Sequence, residues 1–352
     1  MNSVSNRRPQ LGRVGHWVAA AVVAAATMLT LIGTVGAQSG AKLRIALVLP
    51  DYAQNAAILD VKKGAEAAAK SLGNVEVLTT GNISADGQVK AIEDAIASKV
   101  DVIMYDTIDG KALSPAIIKA NKAGIPVVCY ISCAVRGKHA AKIEFDWVGI
   151  GKVEGAWLGK QLKAGQQKKG GTAVYAVVDT SKADPSVAGI YKGRDAAIAA
   201  AGVKPKVVIT PPTNWDRAKG LTYATDLLTA NPRIDAMTCN ADSIALSCYQ
   251  AMKAAGRTDI PYSGANGDCV NLAAVLKGQQ GYSVILFLKS GGAVAMNTAV
   301  KVARGQPYNA AGIVPIQGID RATALSILSG KTKAPAGLDT LQRLQAARAG
   351  CK

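Results

Sequence analysis

Two doubly wound α/β lobes, each built on a parallel sheet with helices on both faces, are predicted by three observations in this 352-residue chain. Short, continuously apolar runs of strand length are each followed by a longer segment whose apolar residues recur at helical spacing. This alternation continues from residue 43 to residue 304. A linking stretch at 143–150 separates a first series of strand and helix units from a second. Unbroken apolar strands belong to parallel sheets covered on both faces.

The first series opens with LRIALVL at 43–49 as a strand. A helix follows at 58–71, with apolar or small residues at Leu59, Val61, Ala65 and Ala68. Strand 75–79, helix 87–98, strand 102–105, helix 115–123 and strand 126–130 come next. The second series begins with helix 153–164, the break Gly170-Gly171 and strand 172–178. It continues through helix 187–201, strand 206–210, helix 216–230, strand 236–239, helix 243–255 and strand 262–264. Helix 272–278, strand 282–286, helix 292–304, an apolar segment at 313–316 and a final helix near 338–349 close the chain.

Ahead of the first strand, Arg7, Arg8, Arg13 and His16 stand without an acid. Residues 17–35 then run without a charge, and Val35-Gly36-Ala37 places small residues where a signal peptidase reads. This pattern predicts a secretory signal cleaved after Ala37, with an uncleaved anchor as the alternative, and hence a periplasmic location. No Cys follows the small residues, so a lipidated N-terminus is not supported. No later segment is apolar for long enough to span a bilayer.

The composition is globular, with 49% apolar and 18% charged residues, which excludes intrinsic disorder and a many-pass membrane protein. Lys and Arg total 41 against 24 acids, a formal charge of +17, from which cleavage would remove three arginines. The lysines are spread among helices, a solvated basic surface. No nucleic acid is expected as a partner, because that would call for a basic stripe with aromatic platforms. Cys129, Cys133, Cys239, Cys248, Cys269 and Cys351 form an even set that an oxidising compartment would pair. Their connectivity stays open, with Cys129 and Cys133 the most local candidates. Metal is not expected: beyond the leader His139 stands alone, and no Cys pair has zinc spacing. No cofactor is expected either.

Polar and aromatic groups recur at the carboxyl ends of the predicted strands, where open α/β sheets bind ligands. They are Asp51, Tyr52 and Asn55, then Asp106, then Tyr130 and Ser132, then Asp179 and Asp184, then Asn240 and Asp242, and finally Asn266 and Asp268. Each alone reads as turn or cap chemistry, Asp242 before Ser243-Ile244-Ala245 being a good N-cap. Their repetition at one end of successive strands points instead to a shared site.

Several segments then carry a family resemblance. Asn214-Trp215-Asp216-Arg217-Ala218-Lys219-Gly220, Asp226-Leu227-Leu228 and Asn231-Pro232-Arg233-Ile234-Asp235-Ala236 are the first. Ala241-Asp242-Ser243-Ile244-Ala245-Leu246, Ala255-Gly256-Arg257-Thr258-Asp259-Ile260-Pro261 and Gly264-Ala265-Asn266-Gly267 continue the series. Together they resemble the periplasmic ribose-binding-protein-like family, the type I solute-binding proteins that serve ABC importers, over about residues 42–306. The resemblance implies a three-strand hinge, with crossovers near 145–148, 286–288 and 309–314. The expected N-terminal lobe is 38–146 with 287–309, and the C-terminal lobe 147–286 with 310–352. A small ligand would be clamped between them by hinge closure, and the closed form recognised by an ABC permease in the inner membrane. A monomer is expected.

At the implied ligand positions the chain keeps Asn55, Trp215 and Asp242. It departs where Ile131-Ser132 replaces an Asp-Arg pair, Ala188 an Arg, Ala241 an Asn, Asn266 an Asp and Leu286 a Gln. Ala57-Ile58 stands where the resemblance implies an aromatic pair. Losing a bidentate Arg and several amides removes groups that fix sugar hydroxyls. The candidate binding set is Asp51, Tyr52, Asn55, Asp106, Tyr130, Ser132, Trp147, Asp179, Trp215, Asn240, Asp242 and Asn266. It is acidic and aromatic, which suits a polyol, an unusual sugar or an amine-bearing small molecule with one apolar face. Trp147 falls at the first crossover, where it either packs the hinge or faces the ligand.

Two other roles share this fold. A sensor subunit would present the closed form to a chemoreceptor or to a histidine-kinase ectodomain, and a cytoplasmic repressor would need a helix-turn-helix where residues 1–41 offer a signal. Catalysis is not expected. Cys133 precedes His139 by six residues but lacks a third orienting group, Ser181 and Ser186 have no His nearby, and no Gly-x-x-x-x-Gly-Lys loop occurs.

Overall fold

The computed structural model describes residues 42–351 except 52, 54, 83, 182, 336 and 337. The expected leader, its cleavage point and Tyr52 therefore lie outside the described residues. Strands β1 (Leu43–Pro50), β2 (Val75–Asn82), β3 (Val102–Tyr105), β4 (Val127–Tyr130), β5 (Ala141–Phe145) and β11 (Ala311–Val314) form one all-parallel sheet in the order β11-β5-β4-β3-β1-β2. A second sheet, in the order β12-β10-β9-β8-β6-β7, holds β6 (Val174–Val177), β7 (Lys206–Ile209), β8 (Ala236–Thr238), β9 (Tyr262–Asn266), β10 (Tyr282–Leu286) and β12 (Ile316–Asp320). Only β12 runs antiparallel to its neighbour. Ile45, Leu47, Val102, Ile103 and Met104 are fully buried, as expected for strands covered on both sides.

Helices α1 (Ala56–Leu72), α2 (Ala85–Ala97), α3 (Gly110–Lys122) and α9 (Leu288–Ala303) flank the first sheet. Helices α4 (Trp147–Lys169), α5 (Pro185–Ala200), α6 (Arg217–Ala230), α7 (Asp242–Ala254), α8 (Cys269–Lys277), α10 (Arg321–Leu328) and α11 (Thr340–Arg348) belong to the second. The chain passes between the sheets at Asp146, at Phe287 and at Pro315, between the elements that end and begin there. Phe145, Ile150, Leu286, Phe287, Leu288 and Val314 lie in one continuous apolar cluster that also takes in Ile45 and Val284. The crossing points are thus packed core rather than free linkers.

Three features differ from the sequence reading. The linking stretch at 143–150 is the end of strand β5 followed by the start of α4. Ala141–Phe145 alternates buried and half-buried residues, because β5 lies near the edge of its sheet. The segment 310–314, assigned above to the second lobe, adds β11 to the first sheet by pairing with β5 from Ala311 opposite Lys142 to Val314 opposite Phe145. The last crossing falls at Pro315, whose missing N–H ends one ladder before β12 begins the next. Strand β12 and helix α10 were not expected as elements.

Close helix packing fixes the frame. A Cβ on Gly151 would lie 2.0 Å from the Ile190 carbonyl oxygen, and one on Gly193 2.0 Å from that of Val148, so α4 and α5 approach backbone to backbone. Disulfides join Cys129 to Cys133, Cys239 to Cys248 and Cys269 to Cys351, and no cysteine is left free among the described residues.

Candidate functional site

The carboxyl ends of both sheets open onto one cavity of about 770 Å³. The first lobe contributes the turns after β1, β3 and β4. After β1, Asp51 Oδ1 accepts the Ala53 N–H at 2.8 Å, and Asn55 caps α1 by accepting the Ala57 N–H at 3.0 Å. These are local turn and cap bonds, yet both residues also line the cavity. After β3 the chain turns through Asp106, Thr107 and Ile108, held from behind by Gln88, whose amide donates to the Asp106 carbonyl at 2.8 Å.

After β4, Ile131 adopts φ 71°, unusual for a β-branched residue, and the turn is closed by the Cys129–Cys133 disulfide. That turn aims the Ser132 N–H at Asp106 Oδ1 (3.0 Å) and the Ser132 hydroxyl at Asp184 Oδ1 (2.9 Å). Asp184 belongs to the second lobe, where it is the N-cap of α5 and also accepts the Ser186 N–H (2.9 Å) and hydroxyl (2.7 Å). Burial drives the carboxyls of Asp106 and Asp184 upward from the ordinary range, and the charge of Asp184 adds to the rise at Asp106.

The second lobe supplies the opposite wall. Asn214 and Trp215 adopt φ 52° and 66°, a left-handed pair that brings the indole to the cavity before Asp216 caps α6. Asn240, at φ 53°, is held by Arg194, which donates to its Oδ1 at 2.6 Å, and itself donates to the Tyr191 hydroxyl at 3.1 Å. Behind it Glu154, almost fully buried, accepts from Thr238 (2.6 Å) and Ser263 (2.7 Å). The rest of the lining is largely apolar: Ile58, Ile131, Ile150, Ile190, Leu286 and Leu288 with Trp147.

Of the residues expected to bind, Asp51, Asn55, Asp106, Ser132, Trp147, Trp215, Asn240 and Asn266 meet in this cavity. Three others do not line it. Tyr130 is fully buried and donates to the Leu288 carbonyl at 3.0 Å, packing the hinge. Asp179 accepts from the Thr180 N–H at 2.8 Å and from the Tyr191 hydroxyl. Asp242 is not the N-cap of α7, since Ala241 holds that position. Its carboxyl turns inward to the Asp268 N–H (2.9 Å) and the Ser283 hydroxyl (2.9 Å). Asp184 and the isoleucines of the wall were missed as site residues. Asp184 was visible as a strand-end acid, whereas nothing in the sequence marks which apolar residues face the cavity.

Cys133 has no thiol to offer, and His139 is tied to the Tyr105 hydroxyl at 2.6 Å. No group of three or more His, Cys, Asp or Glu side chains fit to hold a metal occurs among the described residues.

A family model described as "Periplasmic binding protein domain" matches residues 45–307. The ribose import binding protein RbsB of Escherichia coli K12 is 30% identical over 283 residues, covering 80% of this chain and 92% of the relative. A xylitol-binding protein of Mycolicibacterium smegmatis is 25% identical over 268 residues, covering 76% and 73%. The solved structure of a carbohydrate transporter solute-binding protein from Agrobacterium radiobacter with D-arabinose superposes with a TM-score of 0.74 at 22% identity, covering 83% of this chain and 98% of that one. A two-lobed α/β body with its cavity at the strand ends of both sheets defines a solute-binding architecture. The chain belongs to the periplasmic binding protein family, and it is a binding protein rather than an enzyme.

Proposed function

We propose that this chain is the exported substrate-binding component of an ABC importer, which captures a small polyhydroxylated molecule between its lobes and presents the closed form to a membrane permease. The observation that carries the reading is the cavity itself. Its walls come from both sheets, and Ser132 of one lobe is bonded to Asp184 of the other across it. A ligand in such a cleft contributes contacts to both halves only when they are closed, so binding and closure are linked.

The wall supports a ligand with one apolar and one polar face. Trp215 and Trp147 offer aromatic surface, and Asn55, Asp106, Ser132 and Asn240 offer hydrogen-bonding groups. The relatives named for ribose and xylitol support a sugar or polyol. The leader is read as cleaved after Ala37, leaving a monomer in the periplasm. A thermal-shift screen of residues 38–352 against pentoses, hexoses, alditols and inositols tests this. Ligand at about 100 times its Kd adds about 2.7 kcal/mol of stability. A sugar or polyol that raises the melting temperature of the wild type but not of Trp215→Ala is expected. Stabilisation that Trp215→Ala leaves intact, or none across the panel, contradicts the reading.

A further inference from the structure

The structure assigns Asp106 and Asp184 to one subsite, contributed by both lobes, that receives a protonated amine on the ligand. The inference rests on the reading of the cavity as the ligand site. Both carboxyls line it and both are more than nine-tenths buried, at 3% and 8% exposure. Ser132 links them through its N–H and its hydroxyl, which keeps them close across the cleft. Among the described residues neither forms an ion pair, and the cationic residues of the cavity wall, Arg217 and Lys219, stand exposed at the start of α6.

The bonding is lopsided. Oδ1 of Asp184 takes the Ser132 hydroxyl, the Ser186 N–H and the Ser186 hydroxyl, while Oδ2 accepts none among the described residues. Two carboxylates joined through one serine in a largely buried cleft, with no cation between them, are costly. The side chain at position 132 is a hydroxyl, too short and uncharged to serve as their counter-ion. An ammonium group supplies the missing charge and several donors together, whereas a hydroxyl supplies one donor and no charge. The ligand class that follows is an amino sugar or amino alditol: the amine between Asp106 and Asp184, the carbon skeleton against Trp215 and the isoleucine wall.

Matched pairs test this by calorimetry at pH 7: 1-amino-1-deoxy-D-sorbitol against D-sorbitol, D-glucosamine against D-glucose, and D-glucosamine against its N-acetyl form. The amine is expected to bind at least about tenfold tighter in one pair or more. Asp106→Asn and Asp184→Asn should each bring that preference below about threefold, read as the ratio of the two affinities within a pair measured on the same variant. Asn keeps the acceptor oxygen for Ser132 in the first case and the helix cap in the second, and a retained melting temperature verifies folding. Equal or tighter binding of every neutral partner, with Trp215→Ala weakening both members, would overturn the amine subsite and leave the cavity as the ligand site. Binding that Trp215→Ala does not touch would overturn the cavity reading itself. Failure of every amine to bind would also refute the subsite.

Discussion

The hydroxyl of Ser132, in the turn after β4 of one lobe, donates to the carboxyl of Asp184, the N-cap of α5 in the other, at 2.9 Å. Both residues are buried, and the same Ser132 binds Asp106 through its N–H at 3.0 Å. One short side chain therefore ties the two halves together at the cavity that both halves line. Where the resemblance to relatives implies an arginine, this chain closes its cleft with a serine.

Ser132→Ala deletes that bridge and leaves the backbone bond to Asp106 in place. A hydrogen bond to a carboxylate is worth about 1.5–3 kcal/mol, so ligand affinity should fall about tenfold or more. The unliganded variant should also show a larger radius of gyration by small-angle scattering. Unchanged affinity and unchanged scattering would show that the bridge does not hold the cleft.

Acidity should favour the unliganded protein. The folded state raises the carboxyls of Asp106 and Asp184 above the ordinary value of 3.8, chiefly by burial. The stability they contribute is fully present below that unfolded-state value and is lost as the pH climbs toward the raised folded-state value. Thermal unfolding from pH 4 upward should therefore show the wild type losing stability relative to Asp106→Asn. Parallel pH profiles for the two proteins would contradict the assignment.

The Cys129–Cys133 bridge spans four residues, so its effect on chain entropy is small. It does close the turn in which Ile131 holds φ 71° and Ser132 faces Asp184. Replacing both cysteines by Ser should cost ligand affinity several-fold with a small change in melting temperature. The Cys269–Cys351 bridge closes 82 residues and ties the C-terminus to α8, and its removal should destabilise by about 2–4 kcal/mol. Comparison of the two double-Ser variants by calorimetry and unfolding distinguishes a site-shaping bridge from a stabilising one.

Gly193→Ala forces a methyl group against the Val148 carbonyl and must part α4 from α5. Overpacking of this kind costs about 1–3 kcal/mol. Helix α4 begins with Trp147 at the first crossing and α5 begins beside Asp184, so weakened ligand binding should accompany the loss of stability. Denaturant unfolding with and without ligand measures both.

The fold was legible because its strands advertise themselves. Residues 102–105 (VIMY) and 127–130 (VVCY) are apolar without interruption, and the helices between such strands carry one apolar face. Strand β5 (AKIEF) was not legible, because half-buried Lys142 and Glu144 alternate with its buried residues and break the apolar run. Strand β12 (IQGID) carries too little apolar character to announce itself. At the site, strand-end chemistry located the cavity but did not separate Asp184 from Asp242. Both are acids at a helix start. Asp242 is claimed by Ser283 on β10, 41 residues away in sequence, while Asp184 is left facing the cleft. That distinction is made by tertiary contacts, which no local pattern encodes.

The crystal structure of the protein with the tightest-binding ligand of the carbohydrate panel tests the central claim most directly. The account predicts ligand density between the lobes, touching Asn55 or Asp106 on one side and Trp215 or Asn240 on the other, with Ser132 still bonded to Asp184. Ligand bound outside this cavity, or held by one lobe with the cleft open, would contradict it.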